Sequence, residues 1–124
     1  MLEKIQKISG QNLYRCYQCG KCSAGCPVVE EMDILPNQII RLAQIGRAEK
    51  ALNSKTIWLC ASCYTCDVRC PKGIDISRIM EALRQIILRQ REKNDFVNIE
   101  KIPKKLLKQI PQVCLISNFR KTTG

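Results

Sequence analysis

The chain has 124 residues, with 21 Lys and Arg against 11 Asp and Glu, no His and nine Cys. One domain suits this length, with a modest core, because so short a chain buries only about two-thirds of the surface it exposes when unfolded. The lack of His excludes a Ser-His-Asp or Cys-His nucleophile, an imidazole base, and His-ligated zinc or haem.

Residues 1–10 (MLEKIQKISG) carry no apolar signal-peptide core and no cleavage site, and Leu at position 2 excludes a myristoylation signal. No run approaches the roughly 18 apolar residues of a membrane span. A soluble, cytoplasmic chain with no membrane span is expected. In a reducing compartment dense cysteine points to metal rather than disulfides, and an odd count cannot be fully paired.

The first cysteine run is Cys16, Cys19, Cys22 and Cys26, followed by Pro27. The second is Cys60, Cys63, Cys66 and Cys70, followed by Pro71. Both read C-x2-C-x2-C-x3-C-P, the ferredoxin-type pattern for [4Fe–4S] clusters. Three thiolates two residues apart on a turning backbone can reach three iron corners of one cubane. Gly20 and Gly25 are expected to ease that turn. In two-cluster proteins the Cys before Pro ligates the other cluster. Cys16, Cys19, Cys22 and Cys70 are therefore assigned to one cluster, and Cys26, Cys60, Cys63 and Cys66 to a second. This cross-ligation ties the halves together, so the apo chain is expected to fold poorly. Structural zinc fits less well, because zinc ribbons pair two C-x2-C knuckles across a long gap. Cys114, outside both runs, is expected to be a buried structural thiol.

Between the runs, Pro36 suits the first position of a helix. Ile39, Ile40, Leu42, Ala43 and Ile45 supply its apolar stripe and Gly46 its stop. Arg47 to Leu52 can form one more short helix. After Pro71, Asp75 can cap a helix reaching about Glu92. Ile76, Ile79, Met80, Leu83, Ile86 and Ile87 form its apolar face, while Arg84, Arg89 and Arg91 lie mostly off it. Strand alternation is weak throughout. The expected fold is mainly α, an α-helical ferredoxin-like domain over residues 1–95 rather than a small βαβ-type ferredoxin. Residues 96–124 form a basic extension in which Pro103 and Pro111 break the chain, 104–110 can be a short amphipathic helix, and 120–124 read as a frayed tail. The extension is either a solvated basic face or a docking arm for a partner.

All eight motif thiols are used in closing two cubanes, and no positioned acid or base stands near them. The chain is therefore expected to move electrons and to be non-catalytic on its own. Lys21, Arg69 and Lys72, beside the ligands, would raise the potential or simply be solvated. Cluster potentials span roughly −700 to +450 mV, and sequence does not fix a value in that range. Tyr17, Trp58 and Tyr64 are expected to pack over the clusters and exclude water. The basic charge suits acidic partners. Nucleic acid is not expected as a partner, because the few aromatics sit beside Cys ligands and leave no stacking platform.

Three segments narrow the reading. Tyr17-Gln18-Cys19-Gly20-Lys21-Cys22, Ile57-Trp58-Leu59-Cys60-Ala61-Ser62-Cys63-Tyr64-Thr65-Cys66 and Arg69-Cys70-Pro71-Lys72-Gly73-Ile74-Asp75-Ile76 resemble the C subunit of heterodisulfide reductase, over about residues 10–92. The resemblance implies a small protein with two [4Fe–4S] clusters. It relays electrons from a flavin-containing A subunit to the B subunit, which reduces the disulfide on a Cys-Cys-Gly motif. No Cys-Cys dipeptide occurs in this sequence, so it does not supply that site. The alternatives are a relay subunit of a succinate- or glycolate-oxidising flavoenzyme and, remotely, a zinc-stabilised nucleic-acid-binding module.

Overall fold

A computed structural model describes residues 1–90 and 102–122. Among the described residues the chain is helical and no strand forms. It divides into two compact units, Met1–Ile86 and Ile87–Gly124. The division falls inside a helix. The boundary expected near residue 95 lies outside the described residues.

The first unit opens with α1 (Leu2–Ser9), for which the charged opening segment gave little signal. Ile5 and Ser9, one turn apart, are its buried positions, and Gly10 ends it at φ +67° with its N–H bonded to Gln6 O. A 3-10 turn (Leu13–Arg15) leads into the first cysteine run, inside which α2 (Lys21–Ala24) forms. The link to the second run carries a 3-10 turn (Val29–Glu31), α3 (Pro36–Gln44) and α4 (Ala48–Leu52). Pro36 does start its helix, and the Gln38 side chain accepts the Leu35 N–H at 3.2 Å, half of a capping box. The helix stops where Gly46 turns to φ +79°. Helix α5 (Thr56–Leu59) delivers the chain to Cys60, α6 (Thr65–Arg69) lies inside the second run, and α7 (Ile76–Gln90) follows it. Asp75 caps α7, its carboxylate accepting the Arg78 N–H at 3.2 Å.

The core is aliphatic. Ile5, Leu13, Ile39, Ile40, Ile57, Ile74, Ile76, Ile79, Leu83 and Ile86 are all essentially inaccessible. Each such side chain contributes about 1.5–3 kcal/mol. They come from α1, α3, α5 and α7, with Leu13 from the 3-10 turn and Ile74 from the loop before α7, so segments before, between and after the cysteine runs contribute to the interior.

One polar clamp stands at its edge, with Asp33 on the surface. Asp33 accepts the N–H groups of Lys55 and Thr56 at 2.9 and 3.0 Å and lies 2.8 Å from the Thr56 hydroxyl. It thereby caps α5 from 22 residues away. Desolvation pushes its carboxyl up, but the donors outweigh that, and its pKa is lowered overall. Asp33→Ala is expected to cost about 1 kcal/mol, as for a lost helix cap. Because the folded pKa is depressed, the contribution is present above the ordinary carboxylate pKa and lost only as pH falls through the folded value. The gap in unfolding temperature between the two proteins should thus stay level from about pH 6 to 8, well above the ordinary Asp pKa. A gap that changed across that range would assign the effect to another group.

In the second unit, α8 (Lys104–Gln109) and α9 (Gln112–Thr122) follow Pro103 and Pro111. The helix runs through 120–122, where a frayed tail was expected; residues 123 and 124 of that tail lie outside the described residues. Leu107, Ile110 and Leu115 are half-buried, whereas Leu106, Val113 and Ile116 are exposed. Cys114 is exposed too, which overturns its reading as a buried structural thiol. Among the described residues no helix is long and apolar enough to cross a membrane.

Candidate metal centre

The two cysteine runs fold alike, 44 residues apart. Gln18 and Ser62, two residues after the first Cys of each run, have φ of +63° and +53°. Gly20 and Tyr64, four residues after it, have φ of +77° and +60° and stand at the N-terminal ends of α2 and α6. The runs end alike too, Cys26 N–H on Ser23 O and Cys70 N–H on Asp67 O. Left-handed residues set among right-handed ones turn backbone N–H groups into a concavity that suits an anion. Glycine supplies this conformation once, at Gly20. The second run uses Tyr64 instead, at a steric cost of about 1–2 kcal/mol. Gly25 is not left-handed, contrary to expectation. A Cβ there would come 2.5 Å from the outer part of the exposed Arg69 side chain, which is flexible enough to move aside.

Helix α2 packs against α6, bringing the two runs side by side. Two cavities result. One is lined by Cys16, Cys19, Cys22 and Cys70, with Ile40, Ile74 and Ile76 among its walls. The other is lined by Cys26, Cys60, Cys63 and Cys66, with Met32, Ile76 and Met80. Each takes three thiols from one run and the last thiol of the other. Ile76, 2% exposed, is a wall of both. Among the described residues no three Cys, Asp or Glu groups close to the spacing of a single-ion site. Four thiols around an aliphatic cavity are the donor set a cubane requires, so the residues present fit a [4Fe–4S] group at each.

Most of the polar groups at the walls touch sulfur or hold a group that does. Gln18 Nε2 donates to Cys16 Sγ at 3.3 Å and Asn37 Nδ2 donates to Gln18 Oε1 at 3.3 Å. Ser23 Oγ donates to Asn37 Oδ1 at 2.6 Å and stands 3.9 Å from Cys22 Sγ. Gln44, at the far end of α3, donates to the carbonyls of Leu13 and Cys16 at 2.8 and 3.1 Å. On the second run, Ser77 Oγ lies 3.9 Å from Cys66 Sγ and Thr65 Oγ1 lies 3.4 Å from Cys63 Sγ. Thr65 holds the Cys63 thiol below its usual pKa. Burial pushes the Cys22 and Cys66 thiols up, so metal must displace their protons on binding.

Several residues depart from expectation. Arg84, read as lying off the buried face, is 4% exposed and donates to Cys60 O at 3.3 Å. It was missed because arginine on a helix reads as a solvent-facing charge. Tyr17 and Tyr64 are 58% and 54% exposed and line neither cavity, although the Tyr17 side chain reaches Cys19, whereas Trp58 is half-buried. Lys72 stands 5.6 Å over the Tyr17 ring, and Lys21, Arg69 and Lys72 are all exposed.

Residues 12–74 match the 4Fe-4S dicluster domain family. The chain is similar to the C subunit of the H(2):CoB-CoM heterodisulfide,ferredoxin reductase of Methanothermobacter marburgensis, 35% identical over 82 residues, 66% of this chain and 44% of that protein. It is also similar to the C subunit of the Ferredoxin:CoB-CoM heterodisulfide reductase of Methanosarcina mazei, 37% identical over 89 residues, 72% of this chain and 55% of that protein. A Methanosarcina acetivorans protein described in the same words is 36% identical over 100 residues, 81% of this chain and 38% of that protein. The chain thus spans about half the length, or less, of these curated relatives. The resemblance read from the three motif segments is the one these relatives carry. With the matched residues running through both cysteine runs, the chain belongs to the 4Fe-4S dicluster domain family.

Proposed function

We propose that the chain is an electron-transfer subunit of a heterodisulfide reductase-like complex, holding two [4Fe–4S] clusters. Cys16, Cys19, Cys22 and Cys70 ligate one, and Cys26, Cys60, Cys63 and Cys66 ligate the other. Its support is the exchange of the last thiol between the runs, which leaves each cavity with four thiols and no further titratable wall. Such clusters supply one-electron transfer. The chain's own residues hold them, keep water out with Ile40, Ile74, Ile76 and Met80, and leave Cys19 and Cys63 as the exposed thiols at which partners approach most closely. Two clusters store the two electrons a disulfide takes.

The partners are a protein like the family's flavin-containing A subunit, together with a Cys-Cys-Gly protein like its B subunit, in the cytoplasm, with residues 96–124 as a docking arm. The chain does no bond chemistry itself, and nucleic acid is not a partner. The curated relatives do not favour the succinate- or glycolate-oxidising alternative or the zinc module. Anaerobic isolation should yield about eight iron and eight acid-labile sulfide per chain. About two zinc and no sulfide would refute the proposal. Native pull-down should bring a Cys-Cys-Gly protein, and a carboxylic-acid dehydrogenase in its stead would reassign the complex.

A further inference from the structure

Arg84 is the one Lys or Arg buried among the described residues. It stands on the stripe of α7 that carries Ser77 and Met80, both walls of the second cavity, one turn further on. From there Nη1 donates to the carbonyl of Cys60 at 3.3 Å, and Nη2 lies 3.5 Å from Ser62 Oγ. Cys60 and Ser62 are the start of the second run's first turn, where Ser62 adopts φ +53°. The equivalent carbonyl in the first run, that of Cys16, is held by the neutral amide of Gln44 at 3.1 Å. The repeat thus does the same positioning job twice, once with an amide and once with a cation.

A hydrogen bond alone does not require that cation. A buried guanidinium is expensive, and its compensation here is incomplete. Glu81 Oε2 approaches Nη2 at 2.9 Å, but that carboxylate side chain is 55% exposed and water-screened. Nε has no partner. The positive field left by this partial compensation lies beside the second cavity, because the guanidinium sits on the carbonyl of Cys60, one of that cavity's thiol residues. Reduction adds one electron and breaks no bond, so a fixed buried cation favours the reduced state.

We propose that Arg84 is a positioning residue that also sets the two centres apart in potential. Its fork holds the first turn of the second run, and its charge makes the Cys26, Cys60, Cys63, Cys66 centre the easier of the two to reduce. At sulfur the first centre has amide and hydroxyl neighbours, from Gln18, Ser23 and Tyr17, and the cation nearest them, Lys72 over the Tyr17 ring, is exposed and water-screened where Arg84 is buried. Electrons entering the chain would therefore come to rest at the second. This rests on the two-cluster proposal above.

The test is an EPR-monitored redox titration of the whole cluster-loaded chain, with Arg84→Gln, Arg84→Lys and Glu81→Gln beside the unaltered protein. The second centre's signal is the one lost in Cys66→Ser. Arg84→Gln should lower that centre's reduced-to-oxidised ratio at fixed potential by on the order of tenfold, leaving the first centre unmoved. Arg84→Lys should restore most of it. Glu81→Gln, which removes an exposed counter-charge and disturbs no wall, should shift the ratio the other way. A loosened turn cannot produce opposite shifts, so this sign reversal separates charge from mere packing. If Arg84→Gln does not load, Glu81→Gln still decides. An unmoved second centre, or shifts of one sign in Arg84→Gln and Glu81→Gln, overturns the inference. Lack of iron and sulfide in the unaltered chain overturns instead the cluster assignment beneath it.

Discussion

Cys70→Ser is expected to abolish or destabilise the centre built on Cys16, Cys19 and Cys22, and to spare the one built on its own sequence neighbours. Cys70 lines the cavity of the first run, whereas Cys26 lines that of the second. The cause is the packing of α2 on α6, which sets the end of each run beside the start of the other. Iron and labile sulfide should fall from about eight to about four per chain, with one EPR signal surviving. Cys26→Ser should remove the other signal, and the same survivor in both variants would show that each run closes its own centre. Serine keeps the size of cysteine, so the loss would reflect the ligand atom and not a packing defect.

Stripping both clusters by chelation under reducing conditions should unfold the first unit, with loss of more than half of its helical ellipticity. Without clusters, four thiols in each cavity face one another with mainly aliphatic walls around them and nothing to bind them together. A small domain has only about 5–15 kcal/mol of stability to lose. The walls would also lose their reason to converge, since α2 and α6 have four and five residues and such short helices do not persist alone. Reloading should restore the ellipticity together with the visible colour. An apo chain that kept native ellipticity and a sharp thermal transition would show that the aliphatic core suffices.

Features with local causes could be read from the residues. Pro36 and the isoleucines behind it define α3, and Asp75 followed by Ile76, Ile79, Met80 and Leu83 defines the start of α7. The spacing of the runs makes them equivalent because the same left-handed turn recurs at the same offsets. The misses share a different cause. Helix α1 is stabilised by burial of Ile5 against the rest of the unit, in a segment whose own residues are mostly charged or polar. Asp33 and Thr56 look like ordinary loop and helix residues until the fold brings them within hydrogen-bonding distance. Tyr17 and Tyr64 flank the motifs yet face solvent, because the left-handed turns direct backbone rather than rings toward the cavities.

Cofactor class, helical fold and the equivalence of the halves are local properties: thiol spacing and 3.6-residue periodicity act within a dozen residues, and one-dimensional order expresses them fully. Which polar groups stand around each centre is not local. Gln44 reaches back 28 residues to Cys16, and Arg84 reaches back 24 to Cys60. Both side chains would be at home in water. Only the packing of α3 and α7 against the runs excludes that water, and exclusion turns an ordinary amide and an ordinary guanidinium into a neutral and a charged neighbour of otherwise equivalent turns.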